Sequence, residues 1–337
     1  MVDSAYALAR PALFCLEPER AHALSLKLLA AATRDPRLVP ILRRLLGADA
    51  ASEPVEAFGL RFPNRLGLAA GLDKNALALN GWAALGFGHV EVGTVTPLPQ
   101  PGNPRPRVFR LPADRAVINR LGFPNDGAAR VARRLRQRPP GLIVGGNIGK
   151  GRPTPLASAT YDYCEAAQAL APVVDYLAVN LSSPNTPGLR ELQAPEHLAR
   201  IVAELRRLGP RPVLVKLSPD VDWASLADLV GAARAAGAAG LIAANTTLDR
   251  TRLRYPSPVS VQYGGLSGAP LACPVLRLTA RLAELASPDL AVVSVGGIFS
   301  AADVRARLEA GACLVQVYTS LVYQGPGLVS RLLRAAD

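Results

Sequence analysis

From Leu66 to Tyr318 the chain repeats one unit: a short apolar run, a polar break, then a helical segment. The runs are Leu66 to Ala70, Val90 to Thr94, Ile143 to Asn147, Tyr176 to Asn180, Val213 to Leu217, Leu241 to Asn245, Val292 to Gly296 and Leu314 to Tyr318. Near-continuous apolar runs read as strands buried on both faces, and helices between them make βαβ units with parallel strands. Eight such units close as an α/β fold of the TIM (β/α)8 barrel type. Helices are expected over Pro195 to Leu208, Trp223 to Ala236 and Ala301 to Ala310, and a hairpin over Val55 to Phe62 should close the barrel floor. Two excursions break the rhythm, Pro97 to Pro124 and Asp249 to Gly268, and long loops at the active face are candidate lids and walls. The 337 residues suit one barrel of about 250 residues with additions. At 50% apolar and 19% charged, the chain can bury a large core.

The addition is N-terminal: residues 1–50 read as a helical extension and 51–337 as the barrel domain. Pro18 and Glu19 start a helix well, because proline tolerates the first turn and an acid suits its positive end. That helix runs through His22, Leu24, Leu28 and Leu29. Asp35-Pro36 repeats the signal, and Leu38, Val39, Ile41, Leu42, Leu45 and Leu46 form an apolar face beside Arg37, Arg43 and Arg44. A short basic amphipathic helix suits a membrane interface; the same helices also suit a plug at one end of the barrel, and both readings stand. No apolar run approaches ~18 residues without a charge, so none should span a bilayer. Glu17, Glu19 and Arg20 lie inside the early apolar region, so no secretory signal is expected. Cys15, Cys164, Cys273 and Cys313 lack paired spacing and, with three isolated His, form no metal-ligand pattern. They read as packing residues in a reducing compartment. The net charge of +12 comes from dispersed arginines with no aromatic-interleaved stripe, so no nucleic-acid partner is expected; an anionic ligand or membrane surface explains the sign.

Active sites of α/β barrels sit at the carboxyl ends of the strands. Those ends carry Gly71 with Asp73 and Lys74, Thr94, Asn147, Asn180, Lys216, Asn245, Gly296-Gly297 and Tyr318-Thr319. Eight such groups in register define one cavity. The densest polar break, LAVNLSSPNTPGLR from Leu177 to Arg190, offers Ser182, Ser183, Asn185 and Thr186, hydroxyls and amides without charge, which suits a neutral, planar, hydrogen-bonding ligand. Asn119, Asn180, Asn185 and Asn245 both donate and accept, matching the C=O and N–H edges of a pyrimidine or flavin ring. GGLSG at 264–268 and the Gly296-Gly297 pair come from the last barrel loops, where bare N–H groups hold phosphate. Lysine occurs only at Lys27, Lys74, Lys150 and Lys216 among 38 basic residues. In so Arg-rich a chain, surviving lysines mark places where a compact ammonium is needed.

Taken together, GLAAGLDKN at 67–75, EVGTVTPLPQPGNPRPRVFRL at 91–111, INRLGFPN at 118–125, NIGK at 147–150, VNLSSPNTPGLR at 179–190, ANTT at 244–247, GGLSG at 264–268, VGGI at 295–298 and VQVYTSL at 315–321 resemble the class 2, quinone-linked dihydroorotate dehydrogenases. The resemblance runs from the first helix to the chain's end. It implies FMN as cofactor, dihydroorotate oxidised to orotate, and ubiquinone or menaquinone as oxidant. It also implies a peripheral place on the cytoplasmic side of the cell inner membrane, attached through the N-terminal helices. Matching blocks imply that Ala70, Gly71, Leu72, Asp73, Lys74, Thr94, Asn147, Asn180, Lys216, Gly268, Gly297, Tyr318 and Thr319 hold FMN. Lys74, Asn119, Arg120, Leu121, Gly122, Phe123, Asn180, Asn185, Asn245 and Thr246 would hold dihydroorotate. Ser183 would be the base, and His22, Arg110 and Tyr318 would line a quinone path. Where the family has a small polar residue before the ANTT asparagine, this chain has Ala244.

In the implied reaction a proton leaves C5 and a hydride leaves C6. Serine is a poor base unless its proton is relayed, and Thr186 is the candidate relay. Lys216 would offset the negative charge that reduction places near flavin N1. Rival readings are a tRNA-reducing flavin barrel, which would need an active-face cysteine; the soluble class 1 branch, with Cys where Ser183 stands; and a non-enzymatic phosphate-binding barrel, which would need the glycines but not the Ser183 and asparagine cluster.

Overall fold

The computed structural model describes residues 2–46 and 53–334. Eight parallel strands close a barrel: Leu66–Leu68, His89–Val95, Ile143–Ile148, Tyr176–Asn180, Val213–Leu217, Gly240–Ala243, Ala291–Val295 and Leu314–Val317. Each pairs with the next in chain order and the last pairs with the first, as expected when every crossover is right-handed and local. All eight apolar runs are strands. The first is shorter than its apolar run: Ala69 N–H still donates to Val317 O at 3.0 Å, but Gly71 N–H turns to Gly93 O at 2.7 Å. The second is longer and shifts register between Val92 and Val95. The three expected helices lie at Pro195–Arg207, Leu226–Ala235, preceded by a 3-10 turn over Trp223–Ser225, and Ala301–Glu309.

Strand alternation divides the apolar residues into two layers. Leu66, Leu68, Val90, Val92, Val179, Val215 and Val315 face outward and join the large core under the helices. Tyr176, Ala178, Leu214, Ile242, Val293 and Leu314 face inward and pack with Ala57 and Phe62. Those two come from the antiparallel hairpin of Val55–Ala57 and Leu60–Phe62, whose Phe58 and Phe62 rings meet Tyr176 and His89 edge-on at 5.4 and 5.3 Å. The hairpin is the floor.

The two long excursions are more ordered than loops. Val108–Leu111 and Ala116–Asn119 from the first, with Gly265–Gly268 from the second, form a three-stranded antiparallel sheet. Their pairing lies outside the barrel ladder and joins residues about as far apart as Asn119 and Gly265, which no local pattern announces.

The extension contains three helices, Val2–Cys15, Pro18–Ala32 and Leu38–Leu45, where the start signals mark a pair. The first lacks such a signal and holds Pro11 in its interior. The second is capped by the Glu17 carboxylate, which accepts from the N–H groups of Glu19 and Arg20. The extension docks near the mouth, at the end of the barrel opposite the hairpin. Tyr6 Oη donates to Val322 O at 2.6 Å and Arg10 to Tyr323 O at 3.1 Å. Arg110 donates to Leu13 O and Leu16 O and lies 4.6 Å from the Phe14 ring centre. Buried Arg107 grips Glu19 through Nε and Nη2 at 2.9 to 3.1 Å. The 50/51 boundary lies outside the described residues. The cysteines are all free; Cys15 and Cys273 are exposed, so only Cys164 and Cys313 take part in packing. Among the described residues no helix is long and apolar enough to cross a membrane, and no His, Cys, Asp and Glu cluster could hold a metal.

Candidate active site

At the carboxyl ends of the barrel strands lies a cleft of about 980 Å3, counting its solvent-open part. Its wall holds Ala70, Gly71, Lys74, Thr94, Asn180, Lys216, Gly268, Gly297, Tyr318 and Thr319, and also Asn119, Leu121, Gly122, Phe123, Ser183, Asn185, Asn245 and Thr246. Leu72, Asp73, Asn147, Arg120, Thr186, His22 and Arg110 lie outside that lining. Asp73 turns away, accepting from the N–H groups of Leu77 and Ala78 and from Trp82 Nε1 at 2.8 to 3.0 Å. Arg120 reaches outward to Gln262, Tyr263 and Pro106. Thr186 is buried and makes no hydrogen bond to Ser183 among the described residues, whereas Ser183 Oγ accepts from Asn185 N–H at 3.3 Å.

The asparagines form two hydrogen-bonded groups. Asn180 Nδ2 donates to Thr94 Oγ1 at 2.8 Å, and Thr94 Oγ1 donates to Asn147 Oδ1. Asn245 Nδ2 donates to Asn180 Oδ1 at 3.1 Å and Ser182 Oγ at 3.0 Å. Asn185 Nδ2 donates to Asn119 Oδ1 at 3.1 Å. Asn147 therefore sits behind the wall and orients Thr94 within it. Asn185 Oδ1 remains buried without a partner. A buried acceptor left bare costs roughly 1–3 kcal/mol, which a ligand N–H reaching it would recover.

Glycines shape the opposite side. Gly268 has φ +106° and Gly297 φ +73°, and a Cβ there would fall 2.3 Å from Arg115 O and from Ala272 N respectively. Any side chain is excluded, so bare backbone faces the cleft. Beside them the short helix Thr319–Gln324 begins without a side-chain cap, and its first N–H groups have no intrahelical acceptor. Ser267 and Thr319 share a hydroxyl contact of 2.8 Å. Backbone N–H groups and hydroxyls without a carboxylate suit phosphate oxygens.

Two lysines reach the cleft. Lys74 Nζ donates to Gly71 O at 2.6 Å; burial pulls its pKa down to about 8, against the raising pull of Glu19. Lys216 Nζ lies 3.4 Å from Glu91 Oε1, both side chains buried. Lys150 is spent on the carbonyls of Gly151 and Thr154, and Lys27 is exposed. His22 Nε2 lies 2.7 Å from Leu72 O; burial lowers its pKa to about 4, so it is the neutral Nε2–H form and donates. His22 and Tyr318, whose hydroxyl lies 3.4 Å from Gly71 O, thus both meet the 70–74 loop. Around Ser183, Tyr263 Oη donates to Pro184 O at 2.8 Å, and Arg190 donates to Ser182 O and Thr246 O at 3.2 Å.

The wall also contains Ser267, Gln316 and Phe299, which reading the sequence missed. Gln316 was findable: it stands two residues before Tyr318, and a period of two puts both side chains on the inner face.

A family model described as Dihydroorotate dehydrogenase matches residues 54–335. The chain is 51% identical over 324 residues to the dihydroorotate dehydrogenase (quinone) of a Thermus thermophilus strain, covering 95% of this chain and 93% of the relative. It is 49% identical over 333 residues to that of a Roseiflexus species, covering 97% and 92%. Among solved structures it is similar to DHODH from Eimeria tenella in complex with ferulenol, with a TM-score of 0.84 and 35% identity over 94% of this chain and 89% of that one.

Proposed function

This chain belongs to the dihydroorotate dehydrogenase family, and from that membership and the geometry of the cleft we propose how its residues divide the work. It is an oxidoreductase of the quinone-linked kind, a flavoenzyme that oxidises dihydroorotate to orotate in pyrimidine biosynthesis and passes the electrons to a quinone.

The flavin we assign is FMN. The cradle at Gly268, Gly297 and Thr319 would take its single phosphate, and Lys216, Thr94 and Asn180, which line the same cleft, would border the ring. Bound there, FMN supplies an acceptor for the hydride from substrate C6. Asn147 supports the ring site through Thr94, and Leu72 and Asp73 act by fixing the backbone of the 70–74 loop. Lys74, Asn119, Asn180, Asn185, Asn245 and Thr246, with the 121–123 segment, take dihydroorotate; Arg120 contributes its backbone position. Asn185 Oδ1, buried and unpartnered beside Ser183, carries this reading, because a dihydropyrimidine ring N–H satisfies it. Ser183 takes the C5 proton. Thr186, three residues on and buried, is the candidate relay for that proton.

His22, Arg110 and Tyr318 define the quinone side, where the extension meets the 70–74 loop. Leu8, Leu28, Ile41 and Leu45 on the extension are 55 to 82% exposed, and Arg37 and Arg44 are exposed near them. Apolar residues with a basic fringe fit a monolayer of anionic lipid. We assign the protein to the cytoplasmic face of the inner membrane, with ubiquinone or menaquinone as oxidant and no nucleic acid as partner. The test is anaerobic mixing of the purified holoenzyme with dihydroorotate, followed by quinone and, in parallel, fumarate or NAD. Flavin bleaching reversed by quinone alone is expected. Bleaching reversed by fumarate or NAD would overturn the quinone assignment.

A further inference from the structure

Inside the barrel, below the cleft floor, a second polar cluster is built around Glu91, and none of the roles above uses it. Glu91 is fully buried. Its Oε1 accepts from Asn147 Nδ2 at 2.7 Å and faces Lys216 Nζ at 3.4 Å; its Oε2 accepts from Gln316 Nε2 at 3.0 Å and lies 3.5 Å from Tyr176 Oη. All four neighbours present donors, which an ionised carboxylate accommodates and a protonated one does not. The other titratable groups facing it carry no charge: burial lowers the His89 pKa to about 4 and raises that of Tyr176. Lys216 is the cluster's cation, and among the described residues Glu91 is its ion-pair partner.

The geometry leaves Lys216 two-sided. Its 3.4 Å separation from Glu91 exceeds the 2.7–2.9 Å of a strong charge-assisted bond, and its side chain also lines the cleft. The ammonium therefore has a fixed anion behind it and the cofactor space in front.

We propose that Glu91 is a positioning residue for the redox reaction, keeping Lys216 charged before the flavin is reduced so that the cation waits for the charge that reduction creates. This rests on the flavin reading above. With Glu91 in place, two electrons and one proton reduce the flavin, leaving one negative charge on the ring opposite a Lys216 that is already an ammonium. Without the carboxylate, a buried lysine facing a neutral oxidised ring sheds its proton. The ring's new negative charge then draws a proton back, so two electrons and two protons are taken up, one by the flavin and one by the Lys216 amine.

The test is the pH dependence of the midpoint potential of bound flavin, measured by reductive titration of purified holoenzyme below the value of about 8 at which Lys74 titrates. Wild type should take up one proton per electron pair. Glu91→Gln, which keeps the side chain's shape, should take up two, doubling the slope of potential against pH. An unchanged slope in Glu91→Gln with flavin bound would overturn the proposal. So would two protons in wild type, a measurement that stands even if the variant fails to fold. A preparation that binds no flavin when reconstituted would instead overturn the flavin reading, so the two failures are distinct.

Discussion

At the scale of single residues, the roles proposed for Ser183 and Lys74 are separable. Ser183→Ala should slow flavin reduction by dihydroorotate by roughly 10² to 10⁴, equivalent to about 3 to 5 kcal/mol of barrier. Flavin content and orotate affinity should change little, because among the described residues the Ser183 side chain holds only the Asn185 N–H. Stopped-flow bleaching under anaerobic conditions checks this, and a wild-type rate would remove Ser183 from the mechanism. Lys74 predicts a pH effect. With its pKa near 8 in the folded protein, the ammonium available to an anionic substrate declines above that pH. kcat/KM, which reports free-enzyme ionisations, should fall on the alkaline side near pH 8, and the limb should vanish in Lys74→Met along with roughly 10- to 100-fold of kcat/KM, the worth of a charged hydrogen bond. The stability effect has the opposite sense. Between about 8 and the ordinary value of 10.5 the unfolded chain binds the proton that the folded one has lost, so Lys74 makes the fold gain stability as pH rises through that window.

At the scale of elements, the N-terminal helices are fastened to the barrel by polar ties but present exposed leucines to solvent. The Glu19–Arg107 grip and the Arg110 bonds to Leu13 and Leu16 carbonyls set the docking. The cleft wall, by contrast, is built from residues 69 to 320. Deleting residues 1–50 should therefore preserve reduction of bound flavin by dihydroorotate. It should abolish most turnover with a long-tailed quinone and weaken binding to anionic vesicles, while small water-soluble acceptors are much less affected. Truncated protein that turned over long-tailed quinone and floated with vesicles like the full chain would reduce the extension to a structural cover.

At the scale of the molecule, the proposed cofactor site joins parts far apart in the chain. Thr94, Lys216, Gly268, Gly297 and Thr319 come from different βα units, so a ligand touching all of them opposes opening of any one. Binding to the folded state alone stabilises by about 2.7 kcal/mol at a hundredfold excess over Kd. The purified protein should be yellow with one non-covalent FMN, and FMN added to stripped protein should raise Tm by on the order of 5 °C. A colourless protein with a Tm indifferent to FMN would exclude the cradle at Gly268 and Gly297 as its site.

The barrel is legible in the sequence because its cause is local: a buried parallel strand must be apolar on both faces, so each of the eight announces itself within five or so residues, and the right-handed crossover then fixes their order. The groups at strand ends are legible for the same reason, since Asn180 and Lys216 stand where apolar runs break. Depth and partner are not. Glu91, Thr94 and Asn147 are all polar groups of inner strands, yet Thr94 reaches the cleft while Asn147 and Glu91 lie behind it. Period-two alternation can put Gln316 inside but cannot tell that it meets Glu91, more than two hundred positions away. Closure of the barrel decides which inward side chains share a layer, and only the tertiary structure placed an anion behind Lys216, paired two distant loops into a sheet, and set the extension at the mouth.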